Sequence, residues 1–285
     1  MTYKITYKNV LDAVAKGKRL DGRGAFDKRN IEIRFGVSNK AEGSVGVKMG
    51  KTEVVCGVKM ATAEPYTDHE NEGTMMTSLE LLPLSSPNFE YGQPSIDAVE
   101  TARIVDRGIR ESGFIEFKKL CIKEGEKVWS VFIDLATLND DGNLIDACAL
   151  AATLALLTAR FPVYDEEKDT IDYGEFTDKK LPLDMGKMPL TTTFFKIADK
   201  IFVDPTREEE DVSEGRLTIE VSKPEKSKEE LINAMQKGGE AALTIDDVEL
   251  MVSEACKSFN VIKKIIDESI ENFDKTEGKS KKKKE

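Results

Sequence analysis

Histidine is nearly absent from this 285-residue chain, where His69 stands alone. That excludes a multi-histidine metal site. Any Ser-His or Cys-His nucleophile pair would also have to depend on one residue in the acidic loop "TDHENEG", where a solvated side chain is the ordinary expectation. Long apolar runs are missing too. No stretch reaches the roughly eighteen consecutive apolar residues of a membrane span. The N-terminus, "MTYKITYKNVLDAVAKGKRL", lacks the apolar centre of a secretory signal. The four cysteines, Cys56, Cys121, Cys148 and Cys256, are far apart and form no Cys-x-x-Cys pair. They read as buried thiols in a reducing compartment, so the expected location is cytoplasmic. Positive charge is in deficit: 42 Lys and Arg against 53 Asp and Glu leave a net −11. A general nucleic-acid coat is disfavoured, and any RNA or DNA contact would be a local patch.

What remains is a chain with 40 % hydrophobic and 33 % charged residues, long enough for one large domain or two ordinary ones. Residues 7–19 predict a short helix ending in a basic turn. From Asn30 the pattern alternates, "NIEIRF", "GSVGVKMG", "TEVVCGVKM", which predicts a three-stranded meander. A polar loop, "ATAEPYTDHENEGTMM", and a Pro- and Gly-broken stretch follow. Ser95 to Glu111 predicts a helix whose apolar stripe is Ala98, Ala102, Val105 and Ile109. "KVWSVFIDLATL" predicts a strand, and the chain then enters a helix running to about Ala159. The second half restarts with "LTTTFFKIA" and "IFVD", joined by a turn at Asp199-Lys200, and continues with "GRLTIEVS". A long helix begins from an N-cap at Thr244, with Asp247 at its third position. Its apolar face comprises Val248, Val252, Ala255, Phe259, Ile262, Ile266, Ile270 and Phe273. The expected division is 1–29 (helix and lead-in), 30–163 (first half), 164–180 (acidic spacer), 181–274 (second half) and 275–285 (disordered lysine tail). The fold class read from this order is α+β with two similar units.

Several motifs fail as sites. "GVKMGKTE" is not a phosphate loop, because β-rich sequence rather than a helix follows it, so Gly50-Lys51 is a hairpin turn. "DGRGAF" is no dinucleotide fingerprint. The acidic run in "VDPTREEEDVSEG" points its carboxylates in different directions and reads as a solvated loop rather than a Mg²⁺ site. "ETARIVDRGIRES" carries more information. Arg103, Arg107 and Arg110 share one helix face, turned roughly 135° from the apolar stripe. Such a row can grip successive phosphates. It can equally be a solvated face paired with Glu100, Asp106 and Glu111.

The stretch "NDDGNLIDACALAATLAL" combines a glycine-bearing turn with a small-residue helix, the backbone arrangement of an anion site. Yet no Lys or Arg occurs from Asp141 to Ala159, while Asp140, Asp141 and Asp146 crowd the turn.

Taken in order, "RLDGRGAFDKRNIEIRFG", "GSVGVKMGKTEVVCGVK", "DDGNLIDAC" and "FVDPTREEE" resemble the RNase PH family over residues 18–260. "ATAEP", "ELLPLSSPNFE", "ARIVDRGIRES" and "DGNLIDA" are most similar to the family's non-catalytic subunit of the archaeal exosome ring. The resemblance implies an RNase PH-like fold (ribosomal protein S5 domain 2-like), with two βαβα-type halves and helices packed on mixed sheets. Catalytic members carry Asp-Gly-Gly-Thr-Arg at the turn, where the Thr and Arg hold phosphate. Here Asn143, Leu144 and Ile145 stand there, a degenerate phosphate site. The family's catalytic acid falls on Lys187 if Met188-Pro189 sets the register, or on Asp184 if Asp184-Met185 does. The resemblance further implies a chain with no catalysis, metal or cofactor of its own, and a place in a hexameric ring of three heterodimers with a catalytic RNase PH-like partner. It also implies cap subunits with S1/KH-type domains, and RNA contact through Arg103, Arg107 and Arg110. The alternatives are an active phosphate-dependent 3′-to-5′ exoribonuclease and a scaffold that never touches RNA.

Overall fold

Alternation after Asn30 builds the expected meander in the computed structural model, which describes residues 4–225, 227 and 229–281. Strands β1 (Ile31–Phe35), β2 (Gly43–Met49) and β3 (Thr52–Ala63) pair antiparallel in succession. Met49 faces Thr52 across a two-residue turn in which Gly50 adopts φ +60°, a conformation that a Cβ would strain. β3 buries Val54, Cys56, Val58 and Met60, every second residue. The first departure comes next. Thr74–Glu80, which spans the end of the expected polar loop and the start of the expected irregular stretch, is strand β4. It lies parallel to β6 (Lys127–Asn139), which also pairs with β3 and with the short β5 (Cys121–Lys123). Thr74, Met75 and Leu79 are its buried residues, a spacing with no clean period, and its partner is distant in sequence.

Helix α2 (Ile96–Ser112) starts where Ser95 accepts from the Ala98 N–H and stops at Gly113 in the left-handed region. Helix α3 (Leu144–Thr158) buries almost its whole circumference. It lies between β2 and β3 on one side and β9 (Leu190–Ile197) on the other, which explains why it carries no polar stripe. Contact with β2 is close: a Cβ on Gly43 would sit 2.3 Å from the Ala155 carbonyl oxygen.

The expected acidic spacer is instead a two-stranded ribbon, β7 (Arg160–Asp165) with β8 (Thr170–Lys180). A second sheet follows, ordered β10 (Lys200–Val203), β9, β11 (Gly215–Ser222), β12 (Leu231–Gly239), and antiparallel throughout. Ile197 faces Lys200, so the hairpin turn is Ala198-Asp199, one residue earlier than expected. β12 had no clear sequence signal, because an exposed edge strand needs no apolar face; it ends at Gly238-Gly239.

The "TREEED" stretch is not a loop. It forms helix α4 (Arg207–Val212), capped reciprocally by Thr206 and Glu209. α1 (Lys4–Ala15) packs on α4, and Val10 and Val14 join Phe202 and Val212 in a small cluster. α5 (Ile245–Lys281) begins with the expected Thr244–Asp247 box and lays Ala255, Phe259, Ile262 and Ile266 on the core, together with Met251. Phe273 meets Phe35 with ring centroids 4.8 Å apart. Residues 275–281 of the expected disordered tail continue this helix; residues 282–285 lie outside the described ones. One core runs from Val45 to Ile266, so the halves read as 30–163 and 181–274 share their interior. Among the described residues no helix is long and apolar enough to cross a membrane.

Candidate functional site

The turn that feeds α3 is built around Gly142 (φ +86°), where a Cβ would lie 2.7 Å from the Arg207 nitrogen and the Pro205 carbonyl. α4 therefore sits directly on this backbone. Asn143, also left-handed at φ +59°, caps α3 without a side-chain cap bond and is 1 % exposed. Its backbone N–H donates to Glu210 Oε2 at 2.8 Å. Its Nδ2 donates to Asp204 Oδ1 at 3.0 Å and to Asp146 Oδ2 at 3.2 Å. Gly142 N–H donates to Asp140 Oδ1 at 3.0 Å. Protein carboxylates thus crowd the entry to this helix, Asp140 and Glu210 on backbone N–H groups and Asp204 and Asp146 on the Asn143 side chain. Burial pushes the Glu210 carboxyl above its ordinary range, opposed by Arg207 and the Asn143 N–H.

The cation missing from 141–159 is supplied across the fold. Arg29 donates to the Asp141 and Gly142 carbonyls at 2.8 and 3.0 Å and grips Asp204 at 2.7 Å. Arg23 reaches the other Asp204 oxygen at 3.1 Å. Burial alone would raise the Asp204 carboxyl, but Arg29 wins, with Asn143 helping, and holds it at about 2. Arg207 is divided among Asp211 (2.5 Å), Asp140 (3.4 Å) and Glu210 (3.9 Å), and Lys28 stands 3.6 Å from Asp146. The expectation of a cradle short of positive charge is therefore corrected. The guanidiniums are present, but carboxylates of the same chain consume them. Ile145 is buried and Leu144 half-buried, so neither presents a polar group to a ligand.

The Arg-x-Asp-Gly-Arg segment serves the same junction. Arg19, 5 % exposed, clamps Glu209 through Nε and Nη2 and donates to the Val203 and Asp204 carbonyls. That leaves it a structural tie between the N-terminal segment and α4.

Among the described residues no hydrogen bond or ion pair joins Lys187 to the turn. Lys187 ends a short 3₁₀ turn (Met185–Lys187) whose cap is Asp184, and it pairs with that same residue at 3.4 Å. The two candidate positions thus face each other. α3 meets β9 further along, where Thr193 donates to Asp146 at 2.7 Å.

Arg103, Arg107 and Arg110 lie exposed on one face of α2, as their spacing predicts. Only Arg110 follows the solvated-pair reading, with Asp106 at 3.1 Å and a further bond to the Met75 carbonyl. Glu100 turns instead to Arg216 at 2.5 Å. Among the described residues no carboxylate lies within ion-pair distance of Arg103 or Arg107. The three arginines line a cavity of about 670 Å³ between α2 and β11–β12. Glu220, also lining it, is 2 % exposed and packs against Gly108, whose Cβ would lie 1.6 Å from its Oε2. Burial, with Asp146 adding and Arg107 opposing, raises its carboxyl to about 8. His69 stays in an exposed loop, 3.3 Å from Glu72. Burial pushes the Cys148 thiol up to about 12 and Cys56 well above the usual range, so neither is a nucleophile.

Sequence reasoning missed Arg29, Asp204, Glu210 and Glu220. The Thr206-x-x-Glu209 capping signature was available for α4 and would have placed Glu210 on a helix. Nothing local marks Asp204 (φ +48°), because its partners lie more than sixty residues away.

Comparison with known proteins agrees with this architecture. The 3′ exoribonuclease family models match in two parts, domain 1 over residues 27–162 and domain 2 over 187–258. The chain is 43 % identical over 267 residues to the exosome complex component Rrp42 of Methanothermobacter thermautotrophicus, covering 94 % of this chain and 96 % of that one. Against the Methanosarcina acetivorans Rrp42 it is 48 % identical over 235 residues, covering 82 % and 83 %. A solved Archaeoglobus fulgidus exosome with RNA bound to the active site contains a chain that superposes with TM-score 0.79 at 39 % identity, covering 90 % of this chain and 96 % of that one. Rice Rrp46, at 14 % identity and TM-score 0.62 over 87 % of this chain and 98 % of its own, shares the fold. With both domains matched in order, the chain belongs to the RNase PH family of 3′ exoribonucleases.

Proposed function

We propose that this chain is a non-catalytic RNase PH-like subunit of an archaeal exosome ring, a cytoplasmic assembly that degrades and processes RNA from the 3′ end by phosphorolysis. It pairs with a catalytic RNase PH-like subunit, three heterodimers closing the hexamer under caps with S1/KH-type domains. Its own roles are to shape the partner's site and to contact single-stranded RNA through Arg103, Arg107 and Arg110. One observation carries the non-catalytic reading. Around the α3 terminus, where phosphate would need uncommitted N–H donors and a cation, Glu210 takes the Asn143 N–H, Asp140 takes the Gly142 N–H, and Asp204 and Asp146 take the Asn143 side chain. A dianion there would have to displace charge-assisted bonds typically worth about 1.5–3 kcal/mol each. The RNA reading is supported by two arginines that lack ion-pair partners on a face otherwise rich in acids; a narrow basic track suits one strand within an acidic particle.

The test has two arms. The isolated chain, given RNA and orthophosphate, releases no nucleoside diphosphates, and about 10 mM orthophosphate leaves its melting temperature unmoved. Release of nucleoside diphosphates would establish the enzyme instead. In the ring reconstituted with a catalytic homologue, R103E/R107E/R110E lowers RNA affinity at moderate salt and flattens its salt dependence. Unchanged affinity would leave a scaffold without RNA contact.

A further inference from the structure

Glu220 belongs to β11, but its carboxyl is pressed against a helix. A Cβ on Gly108 of α2 would lie 1.6 Å from its Oε2 and 2.2 Å from its Oε1, so α2 comes this close only because residue 108 has no side chain. Glycine weakens a helix interior, and the packing of this carboxyl accounts for one here. The side chain is 2 % exposed, and Oε2 has no hydrogen-bond partner. Native proteins leave few buried polar atoms unpaired, and each needs an explanation.

The surroundings give the carboxyl little electrostatic support. Its cross-strand neighbours are Thr191 on β9 and Ala234 on β12, neither of them ionisable. From α3, Asp146 acts on it with like charge. On its own strand, Arg216 is taken by Glu100 of α2 at 2.5 Å. The other α2 charges beside the cavity are Arg103 and the Asp106–Arg110 pair. The cation that acts on Glu220 is Arg107, the residue before Gly108, which is exposed and has no carboxylate within ion-pair distance among the described residues.

A protonated carboxyl can be enclosed in such a place. An ionised one, buried with no donor on Oε2, is costly enough to move its surroundings. The cavity of about 670 Å³ between α2 and β11–β12 adjoins the contact, so solvent and Arg107 are both at hand once the helix shifts.

We propose that the Glu220–Gly108 contact is a proton-operated latch on α2. With the carboxyl protonated, the helix lies closed on β11 and Arg107 points outward. When the proton leaves to solvent, α2 lifts and Arg107 turns in to pair with the carboxylate. The latch regulates the arginine row of the proposed RNA contact and rests on that reading for its second test alone. Burial holds the carboxyl at about 8, so the ionised share rises from about one tenth at pH 7 to about nine tenths at pH 9.

Hydrogen exchange of the full-length chain, read by mass spectrometry for wild type and E220Q at matched pH, tests the latch. Between pH 6 and pH 9 the wild-type-to-E220Q ratio of α2 exchange rates should rise at least about five-fold more than the same ratio for α5. E220M, which also cannot ionise, takes the place of E220Q should that variant fold poorly. A ratio that stays level overturns the proposal. An equal rise in α2 and α5 overturns it too, because that is a loss of global stability without a local opening.

The second test uses the ring reconstituted with a catalytic homologue. Withdrawal of one arginine should make the salt dependence of RNA affinity shallower by about 0.7 at pH 9 relative to the E220Q ring, with no difference at pH 6. If exchange shows the latch opening while the two rings bind RNA alike, the latch stands and Arg107 is removed from the RNA contact.

Discussion

Substituting Glu220 by glutamine isolates the energetic cost of placing a carboxyl between α2 and the second sheet. The side chain is 2 % exposed, and its carboxyl rises from an ordinary 4.5 to about 8 because burial outweighs the help of Arg107 and Asp146 adds to it. A group that holds its proton more tightly when folded contributes fully below its unfolded pKa of 4.5. That contribution is lost as pH rises through 8, because the unfolded chain ionises first. Linkage then puts the loss at roughly 1 kcal/mol by pH 5, about 3 at pH 7 and approaching 5 by pH 9. Glutamine keeps the shape and cannot ionise. The stability of E220Q relative to wild type, from urea denaturation of the full-length chain at pH 5, 7 and 9, should therefore rise by about 3–4 kcal/mol across the series. All other titrations cancel in the difference. A difference that stays level within about 1 kcal/mol from pH 5 to pH 9 would show that Glu220 titrates normally and that water reaches it, refuting the buried neutral carboxyl.

Three further outcomes test the junction around α3. E210A removes the acceptor on the Asn143 N–H and leaves Arg207 with two carboxylates. A loss of about 1–2 kcal/mol, comparable to losing an N-cap, is expected in thermal denaturation. R19A strands Glu209, whose side chain is only 4 % exposed, and should cost about 3–5 kcal/mol by chemical denaturation. A loss below about 1 kcal/mol would show that the pair is not buried as described. G142A places a Cβ 2.7 Å from three backbone atoms at φ +86°, so a loss of about 2–5 kcal/mol is expected, with α4 exchanging its amide protons faster.

Local pattern set much of this molecule. Period-two alternation defined β1 to β3 and β6. Helical periodicity, with the Thr244 cap for the second, defined α2 and α5. Four- and three-residue spacing put the arginines on one face. Each of these signals is carried by residues within one element, where backbone geometry alone decides which side chains are neighbours. The absence of hydroxyl and guanidinium at Leu144-Ile145 was likewise plain from the sequence.

The elements that escaped depend on something outside themselves. β4 needs β6 as a parallel partner, β12 needs β11, and the β7–β8 ribbon hides its pairing beneath a run of acidic residues. The α3 turn shows the same division. Its sequence showed a helix terminus surrounded by aspartates and no nearby cation. Only the folded chain, by closing Arg29 and Arg207 around it from more than sixty residues away on either side, determined that Glu210 would take the Asn143 N–H and Asp204 its side chain. Charge interactions act through space and are indifferent to sequence separation, so the chemistry of this site was decided by the tertiary structure.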